Sequence, residues 1–145
     1  MPSAQIDALV KSVNSKAFDF VTYNTYNTYN KPAEPKKEIR VSIVMTTYNR
    51  KGQTLYTLKS IQSQKLSTVE IEVIIIDDST KGYLSAEDLS VFPFQITYIT
   101  IDSKRKTWIN PCVNYNIGFQ EVTGDIIVIQ NAEVCHCGAV WLGRA

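Results

Sequence analysis

The sequence lacks the features of several classes of protein. No apolar run in its 145 residues approaches the length of a membrane-spanning helix, and the N-terminal MPSAQIDALVKSVNSK has no signal-peptide core. The formal net charge is only +1, which argues against a general affinity for nucleic acid or for an acidic membrane surface. We therefore expect a cytoplasmic protein whose partners bind at a defined site.

Cysteine is scarce as well. Cys112, Cys135 and Cys137 are too few and too odd in number for a disulfide framework, so we expect reduced thiols. The run Cys135-His136-Cys137 invites a zinc interpretation, but zinc sites draw ligands from more than one turn and no second Cys/His group follows. A structural role is therefore the preferred interpretation of His136, the only histidine.

The chain divides near residue 39. Before it, a short amphipathic helix is predicted, with Ser3 as its N-cap and apolar residues at helical spacing: Ile6, Leu9, Val10 and Val13. The segment YNTYNTYNKPAEPKK then repeats Tyr-Asn-Thr and adds prolines and charge, which predicts a linker, with an added strand or a docking arm as alternatives. Residues 1–38 are therefore assigned to an N-terminal helix and linker, and 39–145 to the main domain.

In this domain, strand-like segments alternate with helix-like ones. The predicted strands are 41–46, 69–76, 94–101 and 125–129, the last of them fully buried. Helical patterns lie between them, the first capped by Asn49, and others at 85–89 and about 111–122. Strands separated by helices predict right-handed crossovers, and so an α/β fold with a Rossmann-like, mostly parallel sheet that has helices on both faces.

Polar residues collect where these strands end. In open parallel sheets, ligands bind beyond the carboxyl ends of the strands, where the strand order reverses. An order of 3-2-1-4 would put that point between the first and fourth predicted strands, next to the second. The polar residues at these ends are Thr46, Thr47, Tyr48, Asn49 and Arg50, then Asp77 and Asp78, and finally Gln130, Asn131 and Glu133.

A divalent metal is the predicted means of neutralising a phosphate here. The chain has neither G-x-G-x-x-G nor G-x-x-x-x-G-K-[ST] after the first strand, so these two backbone cradles are absent. A carboxylate cluster also needs a proton or a cation to offset its repulsion. Asn131 and Glu133, two residues apart on an extended segment, point the same way and offer the oxygen ligands that Mg²⁺ or Mn²⁺ prefers.

Basic and aromatic residues follow the third predicted strand. Lys104, with its neighbours Arg105 and Lys106, could reach a uracil or a phosphate, and an equally weighted alternative is a solvated loop. Trp108 is close enough in sequence to stack on a base.

Together these segments resemble the nucleotide-binding half of a family 2 glycosyltransferase with the GT-A fold. The resemblance is carried by VSIVMTTYNRKGQTLYTLKSIQSQ, EVIIIDDST and NPCVNYNIGFQEVTGDIIVIQNAEVCHCG, over about residues 39–141. That family has a polar loop after its first strand, a D-D pair after its second, and an N-x-G helix ahead of a metal-binding D-x-D. The order and spacing of these motifs match.

The resemblance implies roles for individual residues. It places Thr46, Tyr48, Asn49, Arg50, Asp77 and Asp78 at the base and ribose of a nucleotide, Asn116 and Gly118 in the N-x-G helix, and Asn131 and Glu133 at the two acidic positions of D-x-D. Asn131 departs from the family pattern. Its neutral amide should weaken metal binding, because hard cations favour charged oxygen.

The implied function is transfer of a sugar from a nucleotide sugar, with UDP the family's commonest carrier, to an acceptor hydroxyl on a glycan or protein, with Mn²⁺ or Mg²⁺ as cofactor. The family's acceptor region and catalytic base lie well after D-x-D, where this chain has only residues 137–145, so no catalytic residue is assigned.

Two alternatives stay open. One is a truncated, non-catalytic module that binds nucleotide sugar; a less favoured one is a nucleotide-binding interaction module whose tyrosine-rich arm recruits another protein. An exposed sheet edge and apolar surface near Val140 to Leu142 further predict self-association, as a homodimer.

Overall fold

The structure, a computed structural model, describes residues 3–14, 16–28, 39–64 and 69–137. The helices are α1 (Ser3–Lys11), α2 (Lys51–Gln62), α3 (Ala86–Ser90) and α4 (Pro111–Phe119), and the strands are β1 (Val21–Tyr26), β2 (Ile39–Thr47), β3 (Val69–Asp77), β4 (Gln95–Ile101) and β5 (Ile126–Asn131). Within the described part of the chain, no helix is both long and apolar enough to cross a membrane.

The strands form one mostly parallel sheet in the order β1-β4-β3-β2-β5. The four strands predicted from the sequence are β2 to β5, and their predicted order is confirmed, with the reversal between β2 and β5. These four pair in parallel, whereas β1 is antiparallel to β4. The predicted α/β class is therefore confirmed.

The edge strand β1 corrects the predicted linker. Val21 pairs with Ile101 and Tyr26 with Ile96, so the first Tyr-Asn-Thr residues extend the sheet. The linker prediction is wrong for Tyr23 to Tyr26, and residues 29–38 of that segment lie outside the described part. The apolar signal was weak because this edge strand leaves polar residues such as Asn24 in solvent.

The predicted helix α1 is confirmed, but of its predicted apolar stripe only Leu9 packs, partly buried, against the domain. Ile6, Val10 and Val13 are 50%, 66% and 61% exposed, whereas Ala8 is buried. The small side chain of Ala8 lets the helix approach the apolar cluster that contains Trp108 and Ile117.

Two apolar layers enclose the sheet. On one face Leu58 and Ile61 of α2 pack with Met45 of β2, and on the other α4 packs against β2 and β3. At Gly118 of α4 the approach is so close that a Cβ atom would lie 2.6 Å from Ile76 Cδ1. The expected cover of helices on both faces is present.

The last strand, β5, differs from its prediction as a fully buried strand. Its residues alternate in exposure, with Ile127 46% and Ile129 59% exposed. The run of isoleucines suggested burial on both faces, but β5 is the outer strand of the sheet at this side, so one of its faces is incompletely covered.

A buried carboxylate joins the amino-terminal parts of three strands. Glu72 of β3 is 1% exposed and accepts hydrogen bonds from Ser42 Oγ (2.5 Å) and Arg40 Nη2 (2.8 Å) on β2. The backbone N–H and hydroxyl of Thr123, just before β5, donate to it at 2.7 and 2.9 Å. Glu72 therefore fixes the start of β5 against β2 and β3.

These hydrogen bonds decide the ionisation of Glu72. Burial alone would raise its pKa, but the bonds from Ser42, Arg40 and Thr123 outweigh burial and hold the pKa of Glu72 below its usual range. A carboxylate with a lowered folded-state pKa adds stability above its unfolded pKa, and this stability is lost as the pH falls through the folded value.

Glu72→Gln should lower the free energy of unfolding by about 1–3 kcal/mol at neutral pH, because an amide cannot accept all of these donors. Below about pH 5 the free energy of unfolding of the unsubstituted protein should fall as Glu72 becomes protonated, and the variant should show a smaller fall. Urea denaturation at a series of pH values measures both effects. Glu87→Gln, at an exposed carboxylate of α3, is the control. If both variants kept the original pH profile, Glu72 would not be the titrating group.

Candidate functional site

A cavity of about 510 Å³ opens at the carboxyl ends of β2, β3 and β5, where the strand order reverses. The register of β2 creates it, since Thr46 pairs with Asn131 and Thr47 with Asp77. Its described lining residues are Thr46, Thr47, Tyr48, Arg50, Asp78, Thr80, Ser103, Lys106, Ile109, Pro111, Asn114, Asn131 and Glu133. Small-molecule sites have volumes of about 300–1,000 Å³, so this cavity can hold a ligand of that class.

Most of the residues singled out in the sequence meet in this cavity. Those that line it are Thr46, Tyr48, Arg50, Asp78, Asn131 and Glu133. Tyr48 is 50% exposed, whereas Asp78 is only 6% exposed at the cavity wall.

Asn49 lies beside the cavity and connects two of its loops. Its Oδ1 accepts hydrogen bonds from the backbone N–H of Thr80 (3.0 Å) and Lys81 (3.3 Å), and its own N–H donates to Ser79 Oγ (2.8 Å). Asn49 has a φ of 51°, a left-handed conformation that asparagine tolerates better than most residues. It was predicted to cap α2, but the N-cap is Arg50, without a side-chain cap bond.

Asp77 lies beneath the cavity and supports it. Its carboxylate accepts a short hydrogen bond from the hydroxyl of Tyr98 and another from the backbone N–H of Ser79 (2.9 Å). Burial raises the pKa of Asp77, while these hydrogen bonds act against the rise. Asp77 is 2% exposed, so its role in the structure is to hold β3, β4 and the following loop together.

Lys104 and Asn116 are not among the described lining residues. Lys104 is exposed, and its backbone N–H donates to Asp102 Oδ1 (3.0 Å) within a turn. Asn116 faces the N-terminal segment, where its Nδ2 donates to Ser12 Oγ (3.1 Å). The structure therefore brings neither side chain to the cavity.

Asp78 is contacted by Lys106, which the sequence analysis named together with Lys104 and Arg105, and by Asn114, to which it gave no role. Lys106 Nζ forms an ion pair with Asp78 Oδ2 at 2.5 Å, and Asn114 Nδ2 donates to the same oxygen at 3.0 Å. Both bonds that the described residues make to this carboxylate use Oδ2, which leaves Oδ1 for a ligand. The basic character of 104–106 was the sequence signal for Lys106.

Trp108 is buried rather than free to stack on a base, which corrects that expectation. It is 2% exposed and packs against Phe18 and Phe20, with ring centroids 5.0 and 5.9 Å away. Its indole N–H donates to Asn114 Oδ1 at 2.8 Å. Trp108 therefore orients the side chain of Asn114, which in turn donates a hydrogen bond to Asp78.

The ion pair also changes the electrostatic argument for a metal. Lys106 already supplies a cation to Asp78, so repulsion among the carboxylates does not by itself require Mg²⁺ or Mn²⁺. Asn131 and Glu133 are both exposed at the cavity and flank the fully buried Ala132, as predicted for side chains that point the same way. The described residues contain no group of three or more His, Cys, Asp or Glu able to hold a metal.

His136 has the structural surroundings expected from the sequence. It is 9% exposed, one ring nitrogen, Nε2, is 2.8 Å from Gln130 Oε1, and its backbone N–H donates to Ser60 Oγ. Burial lowers the pKa of His136. The three cysteines are free and exposed.

Comparison with known proteins agrees with this architecture. The family described as Glycosyl transferase family 2 matches residues 42–142, which include β2 from Ser42 onward, all of β3 to β5 and every described residue lining the cavity. A search of curated proteins finds no match.

A double-mutant cycle tests the ion pair of Asp78 and Lys106. Lys106→Met leaves a nearly buried charge without its cation, so the double variant with Asp78→Asn should be more stable than additivity predicts, by about 0.5–3 kcal/mol. Urea denaturation of the four proteins gives this coupling energy. The same cycle at the exposed pair of Lys11 and Asp7 should give less than about 0.5 kcal/mol. Equal coupling in both pairs would contradict a structural ion pair at the cavity.

Proposed function

The chain belongs to glycosyl transferase family 2, and on that premise we propose that its cavity binds the nucleoside diphosphate of a UDP-sugar and that the protein transfers the sugar to an acceptor hydroxyl. The observation that carries the proposal is the adjacent carboxylate and ammonium group of Asp78 and Lys106 in the wall of the cavity.

This pair matches the hydrogen-bonding edge of uracil. Uracil presents an N3–H donor beside carbonyl acceptors, so Asp78 Oδ1 can accept from N3–H while Lys106 donates to a carbonyl oxygen. Cytosine presents a bare N3 acceptor at the same position, which would face the carboxylate and repel it. Discrimination of this kind is strong because the wrong base leaves polar groups of the site unpaired.

Other lining residues suit the rest of a nucleotide. The half-exposed ring of Tyr48 offers a face for stacking on the base, and Lys106 Nζ lies 5.9 Å from the centroid of that ring. Arg50, exposed at the same rim, carries the planar guanidinium that pairs well with phosphate oxygens. The base and the diphosphate can therefore contact different parts of one cavity.

A divalent metal fits the donor set only in part. Asn131 and Glu133 supply one neutral and one charged oxygen ligand, and Mg²⁺ commonly binds through one or two carboxylates completed by substrate phosphates and water. When bound, Mn²⁺ or Mg²⁺ would neutralise charge on the leaving diphosphate. We propose that Glu133 is the stronger ligand and that Asn131 keeps the affinity for metal low.

In the proposed reaction the acceptor oxygen forms a bond to the anomeric carbon of the sugar. The bond from that carbon to the terminal phosphate oxygen breaks, UDP leaves with the electron pair, and the hydroxyl proton is released to solvent or a base. A module that only binds nucleotide sugar is the alternative function. Release of UDP from a bound UDP-sugar distinguishes the two, since a binding module would release none.

Calorimetric titration should detect saturable binding of UDP and at least about tenfold weaker binding of CDP, because the base edge of CDP is mismatched to Asp78. Asp78→Asn should weaken UDP binding and reduce the preference over CDP, while Glu87→Gln, a distant exposed substitution, should change neither. Equal affinity for UDP and CDP in the unsubstituted protein would refute the assignment of uracil to this carboxylate.

Asn131→Asp should increase the effect of Mn²⁺ on UDP binding, because it adds a charged oxygen at the proposed metal position. The measurement is the ratio of UDP dissociation constants with and without Mn²⁺, which should rise several-fold in the variant. Glu133→Gln should lower the same ratio. If neither substitution altered it, the metal would not contact these residues.

A further inference from the structure

A second, shallower groove adjoins the cavity on the side of α2. It has a volume of about 310 Å³ and is lined by Gly52, Gln53, Tyr56, Glu133 and Cys135. Glu133 lines both spaces, so they meet at this one carboxylate.

The chemistry of this groove is unlike that of the cavity. Tyr56 of α2 is 66% exposed, and Gly52, one turn earlier, would have nothing within 4 Å of an added Cβ atom, so the surface between them is open. Gln53 adds an exposed amide that can both donate and accept. Glu133 is the one charged residue in the described lining.

An aromatic face with a few hydrogen-bonding groups suits a pyranose ring. The C–H face of such a sugar is apolar and can cover the ring of Tyr56, while its hydroxyl groups reach Gln53 and water. Tyr56 and Cys135 also line the next depression along α2, where Lys59, Ser60 and Ser63 supply further polar groups. A second sugar ring could therefore continue along the helix.

We propose that this groove is the part of the acceptor site that the described residues supply, and that it takes the terminal pyranose of a carbohydrate acceptor against Tyr56. The inference rests on the proposed function, which puts the diphosphate of the donor at Asn131 and Glu133. The anomeric carbon is bonded to that diphosphate, so the acceptor hydroxyl must approach from a space adjoining Glu133, held in position for attack. Among the described residues, the groove beside Tyr56 meets this requirement.

The test uses protein labelled with ¹⁵N-glycine, because the chain has only 6 glycines and three are well placed. Gly52 lies in the groove, Gly82 follows Thr80 of the cavity by two residues, and Gly124 lies at the opposite end of the sheet beside Ser42. Methyl glycosides of glucose, galactose, mannose and N-acetylglucosamine are titrated with and without saturating UDP and Mn²⁺. We expect saturable shifts of the Gly52 amide signal with at least one glycoside, and none at Gly124.

Two substitutions examine the aromatic platform. Tyr56→Ala should weaken the glycoside binding about tenfold, whereas Tyr56→Phe should retain it, because the contact depends on the ring face and not on the hydroxyl. An unchanged Gly124 signal shows that each variant is folded. Binding that survives Tyr56→Ala would overturn the role of this residue.

The possible outcomes distinguish failure of the acceptor groove from failure of the proposed nucleotide-sugar binding. A UDP-dependent shift at Gly82 without a glycoside-dependent shift at Gly52 overturns the acceptor groove and leaves nucleotide binding intact. Absence of any UDP effect, together with no calorimetric binding, counts against the proposed function. A glycoside shift at Gly52 that Tyr56→Ala removes would support a carbohydrate site in either case.

Discussion

The parallel register of β2 between β3 and β5 is the constraint on which the site depends. It places the end of β2 beside Asp77 on one side and Asn131 on the other, so residues far apart in sequence meet at one edge of the sheet. The reversal of strand order leaves space between the loops that follow these strands. A shift of one residue in the pairing of β2 with β5 would put Thr46 and Asn131 on opposite faces of the sheet, so that they could not line the same cavity.

Two carboxylates, one toward each end of the sheet, have their charge satisfied within the protein. Glu72 is surrounded by donors from β2 and from Thr123, which fixes the sheet but leaves little for a ligand to contact. Asp78 is held through one oxygen only, by Lys106 and Asn114, and faces the cavity. The difference separates a structural carboxylate from one that can bind. Both need partners because a buried, unpaired charge is costly.

The sequence was sufficient for the order of β2 to β5 and for most of the cavity, because buried strands and polar strand ends leave local patterns. It was insufficient where tertiary contacts determine whether a residue is buried or which strand it pairs with. The edge strand β1 has few apolar residues, and Ile127 and Ile129 of β5 look buried until the position of the strand in the sheet is known. Trp108 and Lys106 lie in an irregular segment without periodicity, so only the fold shows that one is buried and the other meets Asp78.

The N-terminal segment helps to fix the side-chain orientations in the wall of the cavity. The sequence analysis interpreted this segment as a separate helix and linker. Phe18 and Phe20 pack against Trp108, which keeps its indole N–H directed at Asn114. An indole nitrogen can only donate, so the atom of Asn114 that faces it must be the carbonyl oxygen, and the amide group must then face Asp78. Rotation of this side chain by half a turn would set an oxygen against the carboxylate. Packing at residues 18 and 20 therefore determines, through one amide, which hydrogen bonds the carboxylate of Asp78 has left for a ligand.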